Sequence, residues 1–85
     1  MIKKIHTLQF KVLIEQDEDG WYTASVPELP GCYTQAKTID TVRLRIKEAI
    51  ELVLETEDEV RNDKLKNPTS SLRFFGIEDF QLQYA

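Results

Sequence analysis

An 85-residue chain with 41% hydrophobic and 31% charged residues has room for one folded domain with a modest core, and its composition is that of an ordered protein. Its formal net charge of -4 opposes tight nonspecific binding to nucleic acid, where phosphate contacts dominate affinity, and suits a basic partner. No apolar stretch approaches the roughly 20 residues of a membrane span, the N-terminus has no signal-peptide core, and the single Cys32 excludes an internal disulfide framework, so a reducing cytoplasm is the expected setting.

Residues 7–16 alternate as a strand, with Leu8, Phe10, Val12 and Ile14 on one face and Gln9, Lys11 and Glu15 on the other; Leu13 places an apolar group on the polar side. The turn at residues 17–20 ends in Asp19 and Gly20, which suit the positive backbone angles of a tight hairpin. Residues 21–26 are β-branched, aromatic or small and form the second strand. Pro27 and Pro30 remove two backbone donors and stop the ladder, and Gly31 lets the chain reverse into a third strand at residues 32–36.

Thr38 is a good helix N-cap, and Asp40 lies in the first turn, where the helix dipole favours negative charge. Ile39, Val42, Ile46, Ala49, Ile50, Val53 and Leu54 then recur at helical spacing. Acidic residues around 55–59 are unfavourable at a helix end, which predicts fraying and a terminus between residues 55 and 60. Residues 59–71 are polar, contain Asn67-Pro68, and read as a connecting loop. Phe80, Leu82 and Tyr84 alternate with Asp79, Gln81 and Gln83 as a fourth strand with one buried face. The expected fold is a single α+β domain spanning residues 1–85, an antiparallel sheet in βββαβ order with one helix across a face.

Chemistry is poorly represented. Asp17, Glu18 and Asp19 are consecutive turn carboxylates that point apart, and neither they nor the helical Asp40 and Glu48 mark a two-metal cluster. His6 is the only histidine and has no second ligand or paired carboxylate; Cys32 has no histidine placed to activate it and reads as a small buried hydrophobe. There is no glycine-rich phosphate loop, HExxH or CxxC. The chain therefore reads as a non-enzyme with no cofactor and no metal.

The segments F-K-V-L-I-E-Q-D-E-D-G-W-Y, V-P-E-L-P-G-C and I-K-E-A-I-E-L together resemble the N-terminal domain of HicB-like antitoxins, over residues 8–55, and F-F-G-I-E-D-F fits more loosely. That resemblance implies a partial ribonuclease H-like fold, also comparable to a double-stranded-RNA-binding shape. It further implies a protein that binds and masks HicA, a small basic toxin that cleaves messenger RNA, and that forms dimers or larger assemblies. Many HicB antitoxins also carry a ribbon-helix-helix or helix-turn-helix module; this chain shows no second helical segment of that kind, so DNA binding by it alone is not expected. An orphan HicB-like scaffold that self-assembles and binds another protein or a small ligand is the alternative, and an RNA-binding domain is opposed by the acidic balance.

On this reading the toxin-binding candidates are the acidic turn (Asp17, Glu18, Asp19), Trp21, and a rigid exposed proline turn presenting Leu29 with the flanking Tyr33. Leu13, Leu44 and Leu52 sit off the apolar faces and are candidates for one subunit interface.

Overall fold

The computed structural model describes residues 5–70 and 72–85. It shows an antiparallel meander of β1 (Leu13–Gln16), β2 (Tyr22–Ser25) and β3 (Tyr33–Ala36), followed by α1 (Ile39–Thr56) and α2 (Asp58–Lys66). The α+β class and the helix-backed meander agree with the sequence reading.

The register pairs Ile14 with Ala24 and Leu13 with Ser25 across the first hairpin, and Ala24 with Thr34 across the second. Alternation then turns Ala24, Val26, Cys32 and Ala36 towards α1, where Val42 and Ile46 meet them. Phe10, Val12, Tyr22, Ala49, Ile50, Val53 and Val60 pack around this centre. Among the described residues Val42 is the largest fully buried side chain, so the core is thin. Helix α1 lies on β2, β3 and α2.

The first strand is shorter than its alternation suggests. The Gln9 N–H donates to the Pro68 carbonyl at 2.7 Å, and the Lys11 N–H donates to Glu28 Oε1 at 2.9 Å. Both donors are taken by groups outside the sheet, so the regular ladder begins only at Leu13. In the hairpin, Gly20 alone adopts a positive φ, +88°; Asp19 does not share it. Gly31, at φ +84°, makes the second reversal.

Helix α1 starts where the cap predicts: Thr38 is extended and its hydroxyl oxygen accepts the Thr41 N–H at 3.1 Å. It ends at Thr56, inside the expected interval. The polar stretch after it is corrected from loop to helix. Asp58 and Glu59 occupy the first turn of α2, and Lys64 and Lys66 its last, so charges that oppose the end of one helix favour the start of the next. Glu57 is the single extended residue between them, and Arg61 pairs with Asp58 at 2.9 Å.

The expected fourth strand is also corrected. Residues 72–85 pair with no strand of the chain's own sheet, and Phe80, Leu82 and Tyr84 are exposed. No helix among the described residues is long and apolar enough to cross a membrane.

Candidate protein-docking face

Helix α1 covers one face of the sheet and leaves the other open. Alternation places Leu13 and Glu15 of β1, Thr23 and Ser25 of β2, and Tyr33 and Gln35 of β3 on that open face. The register makes a cross-strand row of Leu13, Ser25 and Tyr33, and a second of Glu15, Thr23 and Gln35. Gln35 Nε2 reaches Thr23 Oγ1 at 3.5 Å within the second row. Beyond it, Lys37 Nζ stands 5.2 Å from the centroid of the Trp21 ring. Tyr33 is 68% exposed, although it belongs to a regular strand.

The acidic turn adjoins this face. Asp17 Oδ1 accepts the N–H groups of both Asp19 and Trp21, each at 2.9 Å, while the Asp17 N–H donates to the Trp21 carbonyl at 2.9 Å. Asp17 therefore builds the turn, and Glu18 and Asp19 are left as exposed charges at its tip. Thus Leu13 and Tyr33 share the open face at one end of the sheet, and Trp21 and the acidic turn stand at the other end.

Leu29 does not join them. It is 8% exposed and belongs to the core, held by its N–H to the Val26 carbonyl at 2.9 Å and by the Cys32 N–H to its carbonyl at 3.0 Å. The expectation of an exposed leucine tip is corrected: a tight turn that folds back on the core directs its one large apolar side chain inward, and Pro30 and Gly31 form the outer surface. The expectation that Leu13, Leu44 and Leu52 form one interface is corrected too. Leu13 lies on the open sheet face, whereas Leu44 and Leu52 are exposed on the side of α1 turned away from the core, so the sheet and helix layers separate them.

Beneath the proline turn lies a polar junction with no counterpart in the sequence reading. Glu28 accepts the Lys11 N–H and, at 2.8 Å, the Ser70 hydroxyl on Oε1, and pairs through Oε2 with Lys64 Nζ at 3.1 Å. Lys64 is only 7% exposed and its ammonium also stands 4.3 Å from the Phe10 ring centroid. Burial pushes the Glu28 carboxyl up, but the hydrogen bonds from Lys11 and Ser70 and the contact with Lys64 outweigh it and hold the group below the ordinary carboxylate range. The junction ties the first strand segment, the proline turn and α2 together. No sequence pattern signals it, because the two partners stand 36 residues apart.

Among the described residues, no three His, Cys, Asp or Glu side chains are grouped as metal ligands would be. His6 is exposed, and the buried Cys32 thiol is pushed up by desolvation. What the fold presents is a sheet face free of helix that carries an exposed aromatic residue, with an acidic turn at one end.

Residues 10–80 match the family described as HicB_like antitoxin of bacterial toxin-antitoxin system, and the chain belongs to that family. Similar curated proteins include several described as UPF0150 proteins. One from Archaeoglobus fulgidus is 53% identical over 55 residues, 65% of this chain and 80% of the relative. Another from Synechocystis sp. is 55% identical over 47 residues, 55% of this chain and 68% of the relative. A third from Thermoplasma acidophilum is 47% identical over 49 residues, 58% and 71% respectively. No solved structure matches the chain.

Proposed function

We propose that this protein is a cytoplasmic antitoxin that binds a small, basic, HicA-like messenger-RNA-cleaving toxin and occludes it, with no chemistry of its own. The observation that carries the reading is the helix-free sheet face, where Tyr33 is displayed on β3 and Trp21, one residue before β2, stands at the end that carries the acidic turn. Aromatic side chains held by a strand lose little conformational freedom on binding, and the net charge of -4 attracts a basic partner at long range. A second copy of the chain is the other expected partner. Operator recognition by α2 is not part of the reading: α2 packs on α1, and Lys64 is committed to Glu28.

The test is co-expression with the product of the adjacent reading frame, followed by pulldown and binding kinetics. Tyr33→Asp is expected to leave circular dichroism unchanged and to accelerate dissociation at least about tenfold, as truncation of a central aromatic contact does. Undiminished binding by this variant removes the sheet face from the reading. Magnesium- or manganese-dependent RNA cleavage that copurifies with the chain overturns the non-catalytic role. The orphan-scaffold alternative gains if the chain self-assembles and no adjacent product binds.

A further inference from the structure

Residues 72–85 form an arm with a strand's pattern and no strand's partner. Leu72, Phe74, Phe80, Leu82 and Tyr84 share one parity, so an extended arm directs all five to one side. All five are exposed, Leu82 at 89% and Tyr84 at 99%. Among the described residues, the arm's hydrogen bonding is confined to the Leu72 N–H donating to Ser70 Oγ at 3.3 Å. The radius of gyration, 16.3 Å, exceeds the roughly 12 Å of a compact domain of this length, as a projecting arm requires. Exposed rings are costly to leave in water, and unpaired backbone beside them is a template for a further strand.

The chain also carries a place to receive such an arm. Among the described residues, strand β1 is paired on one side only. A cavity of about 820 Å³ lies between residues 11–15 with Pro27 and the beginning of the arm, residues 72–77. On the helix side of the same strand, α1 does not reach β1. There a shallower groove of about 350 Å³ exposes Phe10, Val12 and Ile14 opposite Ile46 and Ile50, with Arg43 and Lys47 at its margin.

We propose that a second copy of this chain fills these spaces, each copy laying its arm along the other's β1 edge as a fourth strand. The apolar parity of the arm then covers the groove between β1 and α1, and Glu78, on the same parity, approaches Arg43 and Lys47. Donor and acceptor are both present on one chain, so a two-fold exchange closes without a free edge left over at β1. The area is sufficient: on the docking side each arm brings three aromatic rings and two leucines, and at roughly 150 Å² a ring and about 100 Å² a leucine the two arms together amount to roughly 1,300 Å², just above the lower bound of a stable interface. A toxin would satisfy the arm but would leave the arm's own acceptor slot unexplained.

This inference rests on the self-association stated above, and one experiment separates the two. Light scattering of the full chain and of Phe80→Asp/Leu82→Asp, with circular dichroism as the folding control, is paired with amide hydrogen exchange at two protein concentrations. The parent is expected to be a dimer whose residues 74–84 gain protection as concentration rises. The double variant, changed only in exposed positions, is expected to stay folded and to raise the dimer dissociation constant at least about 100-fold. A monomeric parent overturns both statements. A dimer that the double variant leaves intact preserves self-association and overturns arm exchange. Arm protection independent of concentration, or appearing only with toxin, also overturns the exchange.

Discussion

Removing the Glu28 carboxylate is expected to cost more stability than any other single polar change in this protein. Glu28→Ala leaves the Lys64 ammonium, 7% exposed and beside Phe10, without its counter-ion. It also strands the Lys11 N–H and the Ser70 hydroxyl. Breaking a fully buried pair from one side costs about 3–5 kcal/mol, and the side chain of Glu28 keeps 21% of its exposure, which admits some water to the vacated site. The expected loss is therefore about 2–4 kcal/mol, a large share of the roughly 5 kcal/mol available to a domain of this size. Glu28→Gln retains an acceptor for Lys11 and Ser70 and should lose about 1–2 kcal/mol. Lys64→Met leaves Glu28 with two hydrogen bonds and packs an apolar chain on Phe10, so it should lose about 1 kcal/mol or less. Urea unfolding followed by circular dichroism, at one fixed protein concentration, gives the order directly. A Glu28→Ala variant within about 0.5 kcal/mol of the parent would refute the junction as a structural tie.

Other consequences are more local. Because the folded Glu28 carboxyl lies below its unfolded value of about 4.3, its stabilisation is complete above that pH and is lost as pH falls through the lower folded value; urea midpoints should drop there in the parent and be flatter in Glu28→Gln. Leu29→Asp puts a charge in the core and forfeits a leucine's burial, so it should lose about 4 kcal/mol or more and appear largely unfolded by circular dichroism, whereas a folded variant would return Leu29 to the surface. Asp17→Ala releases the Asp19 and Trp21 N–H groups in a solvated turn and should lose about 1 kcal/mol in the same urea assay. Replacing Glu18 with Gln and Asp19 with Asn spares the turn and should slow toxin association and flatten its salt dependence in stopped-flow mixing.

The parts of this fold written in local signals were readable from the sequence. The Asp-Gly hairpin, the paired prolines and the Thr38 cap each act over a few residues, and each sits where the pattern places it. What escaped depended on context. The acidic run at residues 55–59 carries the same charges whether it frays one helix or opens the next, and only the packing of Val60 and Lys64 decides between them. Leu29 stands in a proline-rich turn that looks exposed, yet the turn folds its side chain back under the sheet. For residues 72–84 the period-two pattern was legible, but a pattern specifies a buried face without saying which chain buries it.

That distinction bears on how the two binding surfaces divide the molecule. Leu13 stands at their boundary: it faces the open side of the sheet and also walls the cavity between β1 and the arm. An exchanged arm along β1 covers Leu13 and draws that end of the sheet into the contact between copies. The surface left to a toxin is then the β2–β3 side, where Tyr33 and the Trp21–Lys37 pair remain in the open. Leu44 and Leu52, across the helix layer, belong to neither contact, and as scattered leucines on a solvated helix they require none. The proposed arm exchange and the proposed toxin contact are therefore compatible on one sheet, because they would use its opposite edges.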